Sequence, residues 1–299
     1  MYHIPVLLNE SVDGLITKED GVYVDVTFGG GGHSKEILSR IKGGHLYSFD
    51  QDTDAIKNAE AIQDSSFSFI NGNFRFIKRY LRAEGVREVD GILADLGISS
   101  HQIDAAERGF STRFDAELDM RMNQGAEKSA KEVVNEYSEG ELHKILGMYG
   151  EIKNAKTAAS AIIRARTNNK IIRINDLKEV LKPLAPKGKE NKYYAQVFQA
   201  LRIEVNEELK VLEEFLLQSA ELIKPGGRLV VISYHSLEDR LVKNFINKGK
   251  FHGEVEKDLY GNFETPFESA TRKPIEASEE EIERNSRARS AKLRIAIKL

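Results

Sequence analysis

The sequence contains no cysteine. That excludes disulfides, thiolate-ligated metals and a cysteine nucleophile, and it makes the cytoplasm the expected compartment. No apolar run approaches the roughly 20 residues that cross a bilayer, and the N-terminus lacks the basic-then-apolar pattern of a secretion leader, so no membrane partner is expected. Charge of one sign is also lacking: 44 Lys and Arg against 47 Asp and Glu leave a formal charge of −3. The molecule as a whole exerts no general pull on a polyanion, and nucleic-acid binding would need a local basic patch. No cluster of His, Asp and Glu stands at metal-ligand spacing, so no metal is expected. What the chain does have is material for a core: 299 residues at 40% apolar content suffice for one large domain or two moderate ones.

The stretch around which the rest is organised is Val22–Ser34, Val-Tyr-Val-Asp-Val-Thr-Phe followed by four glycines, His33 and Ser34. Val22, Tyr23, Val24 and Val26 read as a buried strand. Gly29–Gly32 can take positive φ and admit a ligand to the main chain, and a helix is expected over Ser34–Arg40. Strand, glycine loop and helix in that order open a nucleotide-type α/β domain. A phosphate loop would end in Gly-Lys-Ser/Thr, whereas this one ends Gly32-His33-Ser34. The dinucleotide pattern is met in part, but so many glycines satisfy it by default. Asp25 favours S-adenosylmethionine, because a carboxylate closing the first strand suits an amino group or other cation better than a pyrophosphate. A tight turn without a ligand is the alternative.

Further strands are expected at His45–Phe49, Phe67–Asn71 and Val89–Ala94. Asp25, Asp50 and Asp95 stand at the ends of the first, second and fourth. Ligands of open α/β sheets sit beyond the carboxyl ends of the strands, so these three carboxylates would converge on one crevice. Asp50 is the candidate for the ribose hydroxyls. Capping the helix expected over Thr53–Ile62 is its other use, although Asp52 or Thr53 fills that role more naturally. Phe74 would either stack on an adenine or close the core. His3 is read as a terminal-segment residue with a local hydrogen bond, ahead of a short helix carrying Val12, Leu15 and Ile16.

From about Ala105 the strand–helix rhythm stops. Ser129…Glu132 and Ser138…Glu141 are capping boxes, and helices are expected over Glu151–Arg166 and Asn175–Leu184. The economical organisation is a helical subdomain of residues 105–203 inserted into a domain made of 1–104 and 204–299. Residues 151–200 hold eleven Lys or Arg against four acids, a net +7. With Tyr193, Tyr194 and Phe198 at its end, this segment reads as an RNA-contacting surface, or else as a solvated helix face. One long helix, Val205–Ile223, then leads through the turn Lys224–Arg228 to a strand at Leu229–Ser233. Ser233–Arg240 follows as a polar cluster, in which His235 would position substrate, handle a proton or cap the next helix. Alternation over Lys292–Leu299 predicts a closing edge strand with one apolar face.

Assembled, these segments resemble the bacterial small-subunit (16S) ribosomal RNA cytosine-N4 methyltransferases over nearly the whole chain. The likeness rests on His3-x-Pro-Val-Leu-Leu, Asp25-x-Thr-Phe-Gly-x-Gly-Gly-His33, Asp95-Leu-Gly-x-Ser-Ser-x-Gln-x-Asp104, Arg108-Gly-Phe-Ser and Leu118-Asp-Met-Arg-Met122. Phe198-Gln-Ala-Leu-Arg-Ile203, Ser233-x-His-Ser-Leu-Glu-Asp-Arg240 and Arg287-Ala-Arg-Ser-Ala-Lys-Leu-Arg294 extend it. The resemblance implies a class I S-adenosylmethionine-dependent methyltransferase fold, Rossmann-like with a mostly parallel sheet and a helical insertion. It implies a cofactor held at Gly31, Gly32, His33, Asp50, Phe74, Asp95 and Gln102. Asp95 and His235 are the catalytic candidates. The implied substrate is N4 of a cytidine in the decoding region of 16S ribosomal RNA within the small subunit, with no role for DNA, and a homodimer is left open. Two departures stand out. Tyr193–Val197 replaces the family's His-Pro-Ala-Thr-Arg, and Ala116-Glu117 stands where Gly-Pro is usual. Absence of cysteine fits an amine or hydroxyl target, since methylation at C5 of cytosine uses a thiol nucleophile.

Overall fold

A computed structural model describes residues 5–255, 258–260 and 263–299. His3 lies outside the described residues. The chain separates into two compact units, Met1–Gly97 with Leu209–Leu299, and Ile98–Glu208.

The first unit is built on a seven-stranded sheet in the order β3-β2-β1-β4-β5-β7-β6. Its strands are β1 Val22–Asp25, β2 His45–Asp50, β3 Phe67–Asn71, β4 Val89–Asp95, β5 Ile223–Ser233, β6 Phe267–Ser269 and β7 Lys292–Lys298. The first five run parallel, and β7 is antiparallel to both β5 and β6. This is the expected class I methyltransferase sheet. Neighbouring residues on each central strand enter opposite cores, as a sheet covered on both faces requires. Tyr23, Leu93 and Val230 pack with Leu15 and Ile37 on one side, while Val24, Ile92 and Val231 pack with Phe215 and Phe245 on the other.

Two expectations about this sheet need correction. β7 is interior, because the three-residue β6 pairs on its far side and becomes the edge. A three-residue strand is too short to leave a periodic pattern in the sequence. Lys224–Gly227 is not a turn that precedes the strand, because β5 already starts at Ile223. The register jumps from Val89↔Ile223 to Gly91↔Arg228, so the four residues form an irregularity within the ladder.

The second unit is helical, with helices at Ala130–Glu136, Glu139–Met148, Ala155–Asn168, Ile174–Leu181 and Glu190–Asn206 around one apolar core. Both predicted capping boxes form, at Ser129 with Glu132 and at Ser138 with Glu141. The single helix expected over Val205–Ile223 is instead two. Glu207 caps the first in a left-handed conformation, φ 50°, and a second helix spans Glu208–Leu222. Tyr193, Tyr194 and Phe198 are buried in the core rather than offered to RNA. They share one face of the helix Glu190–Asn206 with Val197 and Leu201, and that spacing fixes their burial.

Candidate active site

The glycine loop is tied down from three sides within the first unit. Gly29 N–H donates to Asp50 Oδ2 at 2.8 Å, Phe28 N–H donates to the Phe49 carbonyl at 2.9 Å, and Asn58 Nδ2 donates to the Gly29 carbonyl at 3.2 Å. Gly31 has φ +75°, and a Cβ there would stand 2.7 Å from the Phe28 ring. Gly32 begins the helix Gly32–Arg40, against Pro5, whose Cγ would lie 2.2 Å from an added Cβ. The N-terminal arm therefore lies on the loop. His33 holds it there through Nε2 and the Val6 carbonyl, 3.1 Å apart, while Leu7 N–H donates to Glu281 Oε1 at 2.8 Å.

Three carboxylates surround this loop, each with different partners. Asp25 is 1% exposed, and its Oδ2 accepts from Ser34 Oγ at 2.6 Å. Ser34 Oγ also lies 2.8 Å from Ser48 Oγ, and Thr27 N–H donates to Asp25 Oδ1 at 3.1 Å. Burial raises the Asp25 pKa from its ordinary value and those hydrogen bonds oppose the rise. Asp50 uses Oδ2 on Gly29 and Oδ1 on the Asp52 N–H at 2.9 Å; burial pushes it up to about 6 against those two bonds. Asp95 is also pushed up to about 6 by burial, with Asp25 and Glu238 adding to the rise and His33 and Tyr234 opposing it. Its Oδ1 accepts from the Tyr234 hydroxyl at 2.7 Å, its Oδ2 lies 3.8 Å from His33 Nδ1, and its own N–H donates to Thr27 Oγ1 at 2.6 Å.

All 299 residues match the model of the MraW methylase family. The chain belongs to that family. Ribosomal RNA small subunit methyltransferase H of Cytophaga hutchinsonii is 63% identical over 296 residues, 99% of each chain. The protein of the same name from Christiangramia forsetii is 60% identical over 299 residues, all of this chain and 98% of its own. A third, from Phocaeicola vulgatus, is 56% identical over 299 residues, again all of this chain and 98% of its own.

In this MraW family member, Asp25, Gly31, Gly32, His33, Asp50, Phe74, Asp95 and His235 all belong to the first unit, and Gln102 belongs to the second. Their surroundings differ, and Phe74 and His235 take the core-closing and helix-capping places that the sequence also allowed. Asp25 is buried and holds Thr27 and Ser34, the residues on either side of the Phe-Gly stretch. Phe74 is half-buried and packs edge-on against Phe215, with ring centres 5.2 Å apart. Gln102 closes a capping box, its Oε1 accepting from Ser99 N–H at 3.0 Å. His235 is the N-cap of the helix Ser236–Lys248: its Nδ1 accepts from Glu238 N–H at 3.4 Å, and its Nε2 stands 3.2 Å from Glu238 Oε1 without hydrogen-bond geometry. Sequence reasoning gave Thr27 and Tyr234 no role, although both hold Asp95. They lie 68 and 139 residues from it, and nothing local in the chain signals such a pairing.

Proposed function

We propose that this protein transfers a methyl group from S-adenosylmethionine to the exocyclic N4 of a cytidine in the decoding region of 16S ribosomal RNA. The carrying observation is the trio of strand-end carboxylates around the glycine loop, in a chain that matches the MraW family from end to end. The residues present suit the cofactor. The positive φ and crowded Cβ position at Gly31 reserve a cradle for glycine, while nothing would touch a Cβ at Gly30, which leaves open space over the loop. A ribose diol and a cationic ligand both call for carboxylates, and Asp50 and Asp95 supply them. Asp25, Gly31, Gly32 and His33 shape the loop that holds the ligand, and Phe74 offers an aromatic edge to an adenine. Gln102 carries its cofactor assignment from the motif alone.

When bound, S-adenosylmethionine would supply an electrophilic methyl carbon, with the N4 lone pair forming the new N–C bond, the C–S electron pair returning to sulfur and the N4 proton passing to the acceptor at its N–H or to solvent. The cytosine amine is a poor nucleophile because its lone pair is delocalised into the ring. A hydrogen-bond acceptor at its N–H draws that lone pair out of conjugation and takes up the developing positive charge. Asp95 fills this role, since its carboxylate accepts hydrogen bonds when ionised and loses that capacity at one oxygen when protonated. Asp95→Ala is expected to lower kcat by about 10²-fold or more. An unchanged kcat with only a raised KM for cofactor would remove Asp95 from the chemistry.

Exposed cations of the second unit, among them Lys156, Arg164, Lys170, Lys187, Lys189 and Lys192, supply the phosphate-binding surface without help from the buried aromatics. The target cytidine must be unpaired or flipped out to react. The assembled small subunit is the preferred substrate over free RNA, and the work belongs to the cytoplasm, where that subunit resides. The deciding experiment incubates the enzyme and S-adenosylmethionine with small subunits from cells lacking this protein, followed by nucleoside mass spectrometry. N4-methylcytidine is the expected product. Its absence despite cofactor binding would keep the fold and overturn the substrate.

A further inference from the structure

The Tyr234 hydroxyl, 2.7 Å from Asp95 Oδ1, is held there by its surroundings. Its main-chain N–H donates at 3.0 Å to Glu238 Oε2, a carboxylate only 3% exposed. Its ring lies beside Gly97, where φ is +97° and an added Cβ would stand 3.4 Å from Tyr234 Cδ2. Asp95 is fixed from its own main chain as well, through Thr27 Oγ1. With Oδ1 engaged by Tyr234, Oδ2, 3.8 Å from His33 Nδ1, is the less occupied oxygen of the carboxylate.

We infer that Tyr234 is a positioning residue for methyl transfer: its hydroxyl occupies Asp95 Oδ1 and leaves Oδ2 as the acceptor for the N–H of the incoming amine. This rests on the role given to Asp95 above. A phenylalanine would fill the same space but could not donate.

The phenol suits the task because burial and the adjacent Asp95 charge raise its pKa well above the ordinary value, so it remains a donor throughout the working pH range. Four titratable groups bear on Asp95. His33, on the helix Gly32–Arg40, and Tyr234 favour the ionised carboxylate; Asp25 of β1 and Glu238 of the helix Ser236–Lys248 disfavour it. Removing the Tyr234 donor takes away one of the two stabilising partners, so the Asp95 pKa must rise.

The test is the pH profile of the single-turnover methylation rate for the wild type, Tyr234→Phe and Asp95→Asn, with small subunits as substrate and cofactor binding measured alongside. The wild type should lose rate below about pH 6. In Tyr234→Phe that acid limb should move up by about one pH unit, with a rate loss of roughly 3-fold at pH 6.5 and recovery to within about 2-fold at pH 8.5. At pH 8.5, where Asp95 is ionised in both proteins, cofactor affinity should change by less than about 2-fold, and 3-fluorotyrosine at position 234, a stronger donor of nearly the same shape, should move the limb the other way. A limb that stays in place in Tyr234→Phe, with or without a uniform loss of rate, overturns the inference and leaves the Asp95 reading intact. A wild type without the limb, or an active Asp95→Asn, overturns both. A carbon-13 titration of the Asp95 carboxyl in the free proteins reads the same shift without turnover, and an unmoved midpoint there also overturns the inference.

Discussion

At the scale of single residues, Asp95 combines poor comfort with high usefulness. Its folded-state pKa of about 6 lies above the unfolded value near 3.9, so the folded chain binds this proton more tightly than the unfolded chain does. The resulting stability is complete below the unfolded value and is lost as pH rises through about 6. At neutral pH the charged carboxylate therefore costs stability, and Asp95→Asn relieves that cost while Asn Oδ1 still accepts from Tyr234. With the side chain 24% exposed, solvent screening reduces the full effect. Thermal unfolding of the free variant should show a gain on the order of 1 kcal/mol at pH 7.5 that vanishes near pH 4, together with loss of methylation.

His235 is expected to behave differently. Asparagine is an equally good N-cap, so His235→Asn should keep kcat within a few-fold, while His235→Ala should cost about 1 kcal/mol in stability. A drop of 10²-fold in His235→Asn would return the imidazole to proton handling. The three acids were legible from sequence because strand ends in α/β sheets face ligands. Their surroundings were not, because the partners of Asp25 include Ser34, which in turn meets Ser48, and those of Asp95 include His33 and Tyr234.

Among the elements, the glycine loop makes the sharpest prediction. Gly31→Ala places a methyl group 2.7 Å from the Phe28 ring at φ +75°. It should weaken S-adenosylmethionine binding by about 10-fold or more, measured by calorimetry, with a smaller effect on the melting temperature. Five parallel strands and two capping boxes could be read from the sequence, because alternation, glycine punctuation and Ser-x-x-Glu are local signals. The break at Glu207 could not. An apolar pattern continues across it, and a left-handed glutamate is held there by tertiary structure, including the Arg202–Glu208 ion pair at 2.8 Å that spans the joint. β6 and the irregular start of β5 were missed for a related reason, since both are defined by the strand alongside.

For the molecule as a whole, charge is the property that averages hide. A protein of net −3 carries net +7 in residues 151–200, and most of those cations are exposed. Substrate affinity should fall steeply with salt. Replacing Lys187, Lys189 and Lys192 together by Glu should raise KM for the small subunit by about 10-fold at moderate salt and flatten the salt dependence by roughly one unit of slope for each phosphate left without its lysine. Saturating kcat and cofactor affinity should be unaffected. A KM that ignores both salt and these substitutions would point to a protein or small-molecule acceptor.

The hydrogen bond from Leu7 to Glu281 joins residues 274 apart in the chain, and the arm it anchors rests on the loop at Gly32. During synthesis the glycine loop emerges early with its ties to Asp50 and Asn58, yet the Leu7–Glu281 bond must wait until Glu281 has left the ribosome, and β5 must wait until β7 exists to flank it. A nascent chain thus carries the cofactor motif long before it can hold the cofactor firmly.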